Sequence, residues 1–239
     1  MDTRFWGPDG WRLLHSVAAS YPRRPDKLTK ELYREFFITL ASVLPCIYCR
    51  NSFHQYIKEL PIEPYLGSRE DLSYWLYEMH NKVNDKLAGQ GLEVEYNYDF
   101  DGIYKWYLKF VGELDEYTCQ THIPGLDFIY CIVFNFPKDR NFRNSDRGRY
   151  NAYLKFFPLL AEVMPFRILR TALKTHLDKY PVQNYLTHNR FKRWIYRLES
   201  DYSALVESEC PTFKDRSNFI EMFRAGCTGK GDPKPTCHV

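Results

Sequence analysis

The sequence has no long apolar run and no secretory pattern at its start. Its most hydrophobic stretch, 126–136, is interrupted by Asp127 and Asn135. A membrane-spanning helix needs about 20 apolar residues, so no membrane span is expected. The first residues also lack a basic segment followed by an apolar one, and we therefore expect no signal peptide.

An excess of charge of one sign is also missing. The 33 Lys and Arg residues nearly balance the 30 Asp and Glu residues, which leaves a formal net charge of +3 at pH 7. Domains that bind nucleic acids usually carry a larger basic excess, so no nucleic-acid partner is expected. Hydrophobic residues make up 44% of the chain and charged residues 26%, as in a folded globular protein. Aromatic residues are abundant at 17%, which suits a packed core or the stacking of a flat ligand.

The chain has seven cysteines, of which only Cys46 and Cys49 are close in sequence. Without a secretory signal, and at this length, a scaffold held together by disulfides is not expected. The CxxC pair therefore indicates redox or metal chemistry before it indicates a structural bridge. The remaining cysteines are Cys119, Cys131, Cys210, Cys227 and Cys237.

Apolar residues recur at helical spacing along most of the chain, so the sequence predicts an all-α protein. The clearest helix follows Ser68, because its apolar residues recur every three or four positions as far as Leu87 before Gly89 ends it. Only 92–98 alternates like a strand. The helices predicted in the first half cover 11–21, 32–44, 46–60, 68–87 and 103–111.

The CxxC pair is predicted at the start of a helix, after Pro45. Backbone N–H groups and the helix dipole stabilise a thiolate at that position. A thioredoxin-like site would need a preceding βαβ unit, which is not predicted, and a zinc site would need a second ligand pair at regular spacing. Two buried structural cysteines are the third alternative. The interpretation that we favour is a redox disulfide beside a helical cofactor site.

Three polar residues fall on stripes that are otherwise apolar. His80 and Asn84 are four residues apart, on the same helix face as Trp75 and Met79, and His15 lies on the inner stripe of the first helix. Such a histidine is usually satisfied within the core, and such an asparagine usually faces solvent. An unpartnered polar group in a core costs a few kcal/mol, so a buried ligand with ring nitrogens, carbonyls and hydroxyls is a further explanation.

Several short motifs together resemble the Erv/ALR family of FAD-linked sulfhydryl oxidases over about residues 4–110. This resemblance implies a four-helix bundle with a short fifth helix that holds FAD at the mouth of the bundle. The length and the missing targeting signals are most similar to members from large DNA viruses, such as mimivirus. The motifs are, in order, Trp6-Gly7-Pro8, Trp11 with Leu14-His15, Tyr21-Pro22, Cys46-x-x-Cys49, Trp75-Leu76 and His80-Asn81-x-Val83-Asn84-x-x-Leu87.

The resemblance also implies roles for individual residues. Cys46 would be the outer sulfur that a substrate thiolate attacks, and Cys49 would be the sulfur next to the flavin. Lys86 would contact a phosphate, and Lys105 and Trp106 would lie over the adenine. No metal ligands are expected. The other residues expected at the FAD are Arg4, Trp6, Gly7, Trp11, His15, Tyr48, His80, Asn81, Val83, Asn84 and Leu87.

One position departs from the family pattern. Phe100-Asp101 is followed by Gly102, where the family commonly has a structural cysteine, so the family's bridge near the adenine is not expected here.

The implied function is that of a thiol oxidase that forms disulfides in thiol-bearing protein substrates and passes the electrons through FAD to O2, giving H2O2. The alternative from another class is a non-catalytic zinc- or thiol-linked helical interaction module. A viral member would act in the host cytoplasm or the virion, and a cellular one in an oxidising compartment such as the mitochondrial intermembrane space.

The second half of the sequence resembles the first. When 36–66 is set against 156–186, ten of the 31 pairs are identical, including both prolines that interrupt the pattern. The CxxC cysteines face Phe166 and Leu169, and His80 faces Glu199, so the redox chemistry has not been copied.

The repeat predicts a catalytic domain at 1–115, a degenerate second bundle at 116–226 and a flexible tail at 227–239. The pseudo-domain of quiescin-type oxidases is similar. We expect either a homodimer or this intramolecular pseudo-dimer, and Cys210, Cys227 and Cys237 would provide a structural bridge or a shuttle pair.

Overall fold

The computed structural model describes residues 3–116, apart from 93, 95 and 97, and residues 123–223. Every regular element in these residues is helical, which confirms the all-α prediction. The tail predicted at 227–239 lies outside the described residues. The helices are α1 (Thr3–Ser20), α2 (Lys27–Val43), α3 (Ile47–Glu59), α4 (Arg69–Gly89), α5 (Phe100–Glu116), α6 (Leu126–Phe134), α7 (Phe142–Ser145), α8 (Arg147–Val163), α9 (Arg167–Lys179), α10 (His188–Leu205) and α11 (Phe213–Met222), with 3₁₀ turns at Glu63–Tyr65 and Val182–Asn184.

Side-chain caps decide where several helices begin. The Ser68 hydroxyl accepts the backbone N–H of Asp71 and starts α4 where the sequence predicts it. The Asp26 carboxylate accepts the N–H of Thr29 at 2.7 Å, so α2 begins five residues before its predicted start. The predicted start was wrong because the first turn of α2 has no apolar periodicity that would reveal it.

Two further predictions for the first half need correction. Helix α5 is longer than the predicted 103–111, because Asp99 accepts the N–H of Gly102 at 2.9 Å and starts the helix early. The strand predicted at 92–98 is wrong, since residues 92, 94, 96 and 98, which the structure describes, have no regular secondary structure. An alternating pattern without a neighbouring strand to pair with does not form a sheet.

The core of the first half joins α1, α2, α3 and α4. Helix α1 packs along α4, and α2 packs on α3. Trp75 is fully buried, its ring meets Phe37 edge-on at 5.0 Å, and its indole N–H donates to the carbonyl of Leu60 at 3.0 Å. These contacts tie the middle of α4 to the end of α3. Among the described residues, no helix is long and apolar enough to cross a membrane.

The second half repeats this arrangement. Helices α8, α9 and α10 follow one another as α2, α3 and α4 do, with a 3₁₀ turn at the same place. The buried Trp194 donates to the carbonyl of Tyr180, as Trp75 does to Leu60. At the α2–α8 contact, Phe36 stacks on Phe156, the residue that corresponds to it in the repeat, at 5.9 Å. When a residue of one half contacts its own counterpart in the other half, the two halves are arranged like a pair related by a two-fold axis.

Helices α1 and α6 form a second contact between the halves. The carboxylate of Asp9 accepts the N–H groups of Gly125 at 2.9 Å and Phe128 at 3.2 Å, so a residue of α1 caps α6. Gly125 has a φ of +85°, and a Cβ there would lie 2.5 Å from a methyl group of Leu13. This close approach requires glycine.

Candidate active site

The CxxC pair lies at the N-terminus of α3, as predicted. Cys46 is the N-cap residue, and its sulfur accepts the N–H of Cys49 at 3.4 Å. Cys46 is buried and Cys49 is half-buried, whereas the resemblance implies that Cys46 is the outer sulfur. The two residues between them, Ile47 and Tyr48, are exposed, so an incoming protein would contact these side chains first.

The pKa values of the two thiols are shifted in opposite directions. A hydrogen bond from the Cys49 thiol, helped by the N–H groups of Cys49 and Tyr48, lowers the pKa of Cys46 to about 6 against the opposing effect of burial. The same hydrogen bond and burial raise the pKa of Cys49, and the charges of Lys86 and Arg50 oppose this rise. The hydrogen bonds of the chain itself therefore place the thiolate on Cys46.

A cluster of rings lies where α1, α4 and α5 meet. The Trp11 ring stacks on His80 with centroids 4.0 Å apart, and Nε2 of His15 and Nδ1 of His80 share a hydrogen bond of 3.2 Å. Tyr107 stacks on the other histidine, His15, at 4.9 Å. Burial lowers the pKa of His15 to about 3, with the charge of His80 contributing, and that of His80 to about 4. Both imidazoles are therefore neutral at physiological pH.

Helices α4 and α5 face each other beside these rings, and we call the region between the C-terminal half of α4 and α5 the cleft. The buried residues of α4 end at Met79, and beyond it the apolar Val83 and Leu87 are only half-buried. The facing helix α5 has no buried side chain among its described positions, although it is rich in aromatic residues. An apolar helix face that the described part of the chain leaves half-buried is a candidate surface for a ligand or a partner.

The structure brings only part of the predicted set together. Trp11, His15 and His80 are in contact, and Asn81 and Asn84 follow half-buried on α4. Tyr107 was missed, although the apolar spacing of α5 could have indicated it.

Other predicted residues lie around the cleft or away from it. Lys86 donates to Ser52 Oγ at 2.9 Å, and Lys105 and Trp106 are exposed on α5. Tyr48 is exposed in the CxxC turn. Gly7 is half-buried and Arg4 is exposed on the first turns of α1.

Trp6, also predicted at the FAD, contacts other neighbours than Trp11 does. Trp6 is buried, and its ring stacks on Phe128 of α6 at 5.5 Å. The separation of five positions between the two tryptophans corresponds to a rotation of about 140° around a helix, so they face different neighbours.

Metal binding finds no support in the part of the chain that the structure describes, where no three potential ligands cluster. The nearest residues in sequence that could complete a zinc site with the CxxC pair are Cys119, His122 and Cys131, of which Cys119 and His122 lie outside that part. Cys131 is fully buried in α6, where burial raises the pKa of its thiol.

Residues 8–104 match the Erv1 / Alr family. The mitochondrial FAD-linked sulfhydryl oxidase ERV1 of Saccharomyces cerevisiae is 43% identical over 86 residues, which are 36% of this chain and 44% of the yeast protein. The FAD-linked sulfhydryl oxidase of African swine fever virus is 33% identical over 82 residues, which are 34% of this chain and 67% of the viral protein. The chain belongs to the Erv1/Alr family.

Further relatives of this Erv1/Alr family chain include a probable FAD-linked sulfhydryl oxidase of Acanthamoeba polyphaga mimivirus. It is 38% identical over 85 residues, which are 35% of this chain and 59% of the mimivirus protein. The chain thus spans about half the length of the yeast and mimivirus relatives. The solved core of yeast Erv1 is 36% identical, with a TM-score of 0.40 over 45% of this chain and 84% of that chain. The family resemblance predicted from the sequence, viral members included, is confirmed.

Proposed function

We propose that the protein is an FAD-linked thiol oxidase that forms disulfides in thiol-bearing protein substrates. The observation that carries this proposal is the CxxC pair at a helix N-terminus on the same bundle as the ring cluster of Trp11, His15 and His80. Relatives in the same family are named FAD-linked sulfhydryl oxidases, which supports both the reaction and the cofactor.

The residues of the cleft fit FAD by their chemistry. The Trp11 and Tyr107 rings offer stacking surfaces, and the neutral imidazoles and the two asparagine amides offer both donors and acceptors to a flat heterocycle. Half-buried Val83 and Leu87 offer an apolar surface. When bound, FAD supplies two-electron redox chemistry, taking electrons from the dithiol and passing them to O2 to give H2O2.

The chain itself carries out the thiol exchange. A substrate dithiol reduces the Cys46–Cys49 disulfide through a mixed disulfide, and the substrate loses two electrons and two protons as its own disulfide forms. Once the exchange is complete and both cysteines are reduced, the start of α3 stabilises the thiolate form of Cys46. The neutral His15 and His80 pair keeps charge away from the stacking surface.

We propose that residues 116–226 are a degenerate copy that binds no flavin. Tyr130 and Glu199, which correspond to His15 and His80, also hydrogen-bond each other. Arg216 of α11 donates to Glu199, and its guanidinium lies over the Tyr130 ring at 5.3 Å. An ion pair of the chain thus occupies part of this position, beside a polar cavity of about 130 Å³ that Glu199, Ser203 and Arg216 line. The two halves would then act as an intramolecular pseudo-dimer.

Purified protein should carry FAD in an amount that matches one site per chain, because only the first half keeps the histidine pair. It should consume O2 and produce H2O2 when dithiothreitol is added. The visible spectrum, cofactor extraction and an oxygen electrode check this. A colourless protein that contains zinc would contradict the proposal and support the interaction module predicted as the alternative.

The thiolate of the CxxC pair should appear on raising the pH with a midpoint near 6, because hydrogen bonds lower the pKa of Cys46 to about 6. Below that pH the thiolate is lost, whereas an ordinary thiol ionises near about 8.5. Ultraviolet thiolate absorbance of the reduced, cofactor-stripped protein, with the Cys46→Ser spectrum subtracted, measures the midpoint. Cys49→Ala removes the thiol donor and should raise it. A midpoint that Cys49→Ala leaves unchanged would disprove this assignment.

A further inference from the structure

The second half keeps a cavity at the place that corresponds to the predicted flavin site of the first. Tyr202 and Ser203 line this cavity, and their counterparts in the repeat, Val83 and Asn84, are residues expected at the FAD. The volume of the cavity is about 130 Å³. An engineered apolar cavity of about 150 Å³ holds one benzene molecule, so this space suits a ligand of about six non-hydrogen atoms. It is too small for the three fused rings of a flavin.

Negative charge dominates the polar lining of this cavity. The carboxylates of Asp127, Glu199 and Glu209 line it together with the guanidinium of Arg216. The Nε of Arg216 donates to Glu199 at 3.1 Å, and its Nη1 donates to Asp127 at 3.4 Å. Glu209 is exposed and forms no ion pair with another described residue. Arg216 balances one of the three carboxylates, which leaves an excess of two negative charges in the lining.

The hydroxyl of Tyr202 has no partner among the described residues. Tyr202 is only 5% exposed, and no hydrogen bond joins its hydroxyl to another residue that the structure describes. Tyr130, by contrast, donates its hydroxyl to Glu199. A polar group that is largely shielded from water normally has a hydrogen-bond partner. Because Tyr202 lines the cavity, a molecule inside the cavity is the partner that its hydroxyl indicates.

The lining suits an organic cation better than a metal ion. A metal ion gathers several ligands around one point, but no three potential ligands cluster in the part of the chain that the structure describes. The ammonium groups of an organic cation need no such cluster, because each of them can donate separately to a carboxylate or a hydroxyl. Ile123, Leu126 and Pro211 also line the cavity and offer apolar contacts to a carbon chain.

We propose that this cavity binds a small aliphatic diamine. The two ammonium groups match the excess of two negative charges and give the Tyr202 hydroxyl a donor, and the methylene groups between them contact the apolar side of the lining. The degenerate copy then has a binding function of its own in place of the flavin. The site lies in the second half, so the proposal goes beyond the thiol oxidase function and does not depend on it.

The test uses putrescine as the probe, since this diamine has six non-hydrogen atoms. Isothermal titration calorimetry of the full-length holoprotein at constant ionic strength should show one site per chain with a Kd below about 1 mM. The uncharged diol of the same chain length should bind at least about tenfold more weakly, because it lacks the charges that the carboxylates attract.

Two variants connect this binding to the cavity. Glu209→Gln removes one exposed carboxylate of the lining and should weaken putrescine binding about fivefold. Tyr202→Phe removes only the hydroxyl and should weaken it by a similar factor. Glu207→Gln is the matched control, because Glu207 is exposed two positions away and does not line the cavity, so the Kd should stay unchanged. Circular dichroism checks the fold of each variant.

Three results would overturn the inference. The absence of saturable binding up to about 10 mM putrescine would mean that the cavity holds only water. Equal affinity for the diol would mean that charge is not recognised. A loss of affinity in Glu207→Gln as large as in Glu209→Gln would indicate a general attraction to the acidic surface. Each of these results leaves the thiol oxidation proposed for the first half untouched, since that activity is measured separately with dithiothreitol.

Discussion

Replacing Cys49 with serine should reduce kcat/KM for dithiothreitol by on the order of 1,000-fold or more, because the serine hydroxyl cannot form a disulfide with Cys46. The substitution replaces one sulfur atom with an oxygen atom and changes the side-chain volume little. The N-cap of α3 is retained because Cys46 supplies it. FAD content and the free energy of unfolding should therefore stay close to those of the wild type. Oxygen consumption with dithiothreitol, normalised to bound flavin, measures the effect.

Cys210→Ser is the matched control for this experiment. Cys210 is a free, half-buried cysteine of the second half, and its neighbours are Tyr196 and Ser203. Dithiothreitol is small enough to reach the CxxC pair without a shuttle, so Cys210→Ser should keep full turnover. If Cys49→Ser oxidised dithiothreitol as fast as Cys210→Ser does, the CxxC pair would not be the redox centre.

The elements that the sequence predicts well are those marked by local signals. Helix α4 begins at a capping serine, carries an unbroken apolar stripe and ends at a glycine, and all three marks lie within one segment. The start of α2 carries only the Asp26 cap ahead of an exposed first turn. Periodicity cannot detect a turn that buries nothing, so the bounds of α2 depend on the cap alone.

In the candidate site, too, the sequence predicts what local patterns mark and misses what depends on how the helices pack. The apolar stripes show that His15 and His80 need buried partners, but not that they are partners of each other, since 65 positions separate them in sequence. The contact of Tyr107 with His15 depends on how α5 crosses α1, which the spacing along either helix does not determine.

The same limit applies to α11, which lies beyond the repeat detected in the sequence. The repeat predicts that Glu199 replaces His80, and a buried glutamate without a partner would be very costly. The structure supplies the partner from α11, where Arg216 donates to Glu199 and also reaches Asp127 at 3.4 Å. Glu199 and Arg216 are 17 positions apart, and no motif between them predicts that the chain folds α11 back onto Glu199.

Replacing Arg216 with methionine should therefore lower the free energy of unfolding by about 3–5 kcal/mol, because it leaves Glu199 buried without its ion-pair partner. The side chain of Glu199 is only 4% exposed, so bulk water would solvate its carboxylate poorly once the guanidinium is removed. Tyr130 still donates one hydrogen bond to the carboxylate, which keeps the loss within this range. Urea unfolding followed by circular dichroism measures the difference.

Arg34→Met is the matched control, since it breaks an ion pair of 2.6 Å with Glu63 whose side chains are 39% and 52% exposed. Exposed pairs contribute about 0–1 kcal/mol, so this variant should unfold almost as the wild type does. Adding Glu199→Gln to Arg216→Met removes the buried charge and should recover part of the loss. If Arg216→Met cost no more than Arg34→Met, the buried ion pair would not be what stabilises this part of the second half, and the apolar packing around it would have to account for the stability.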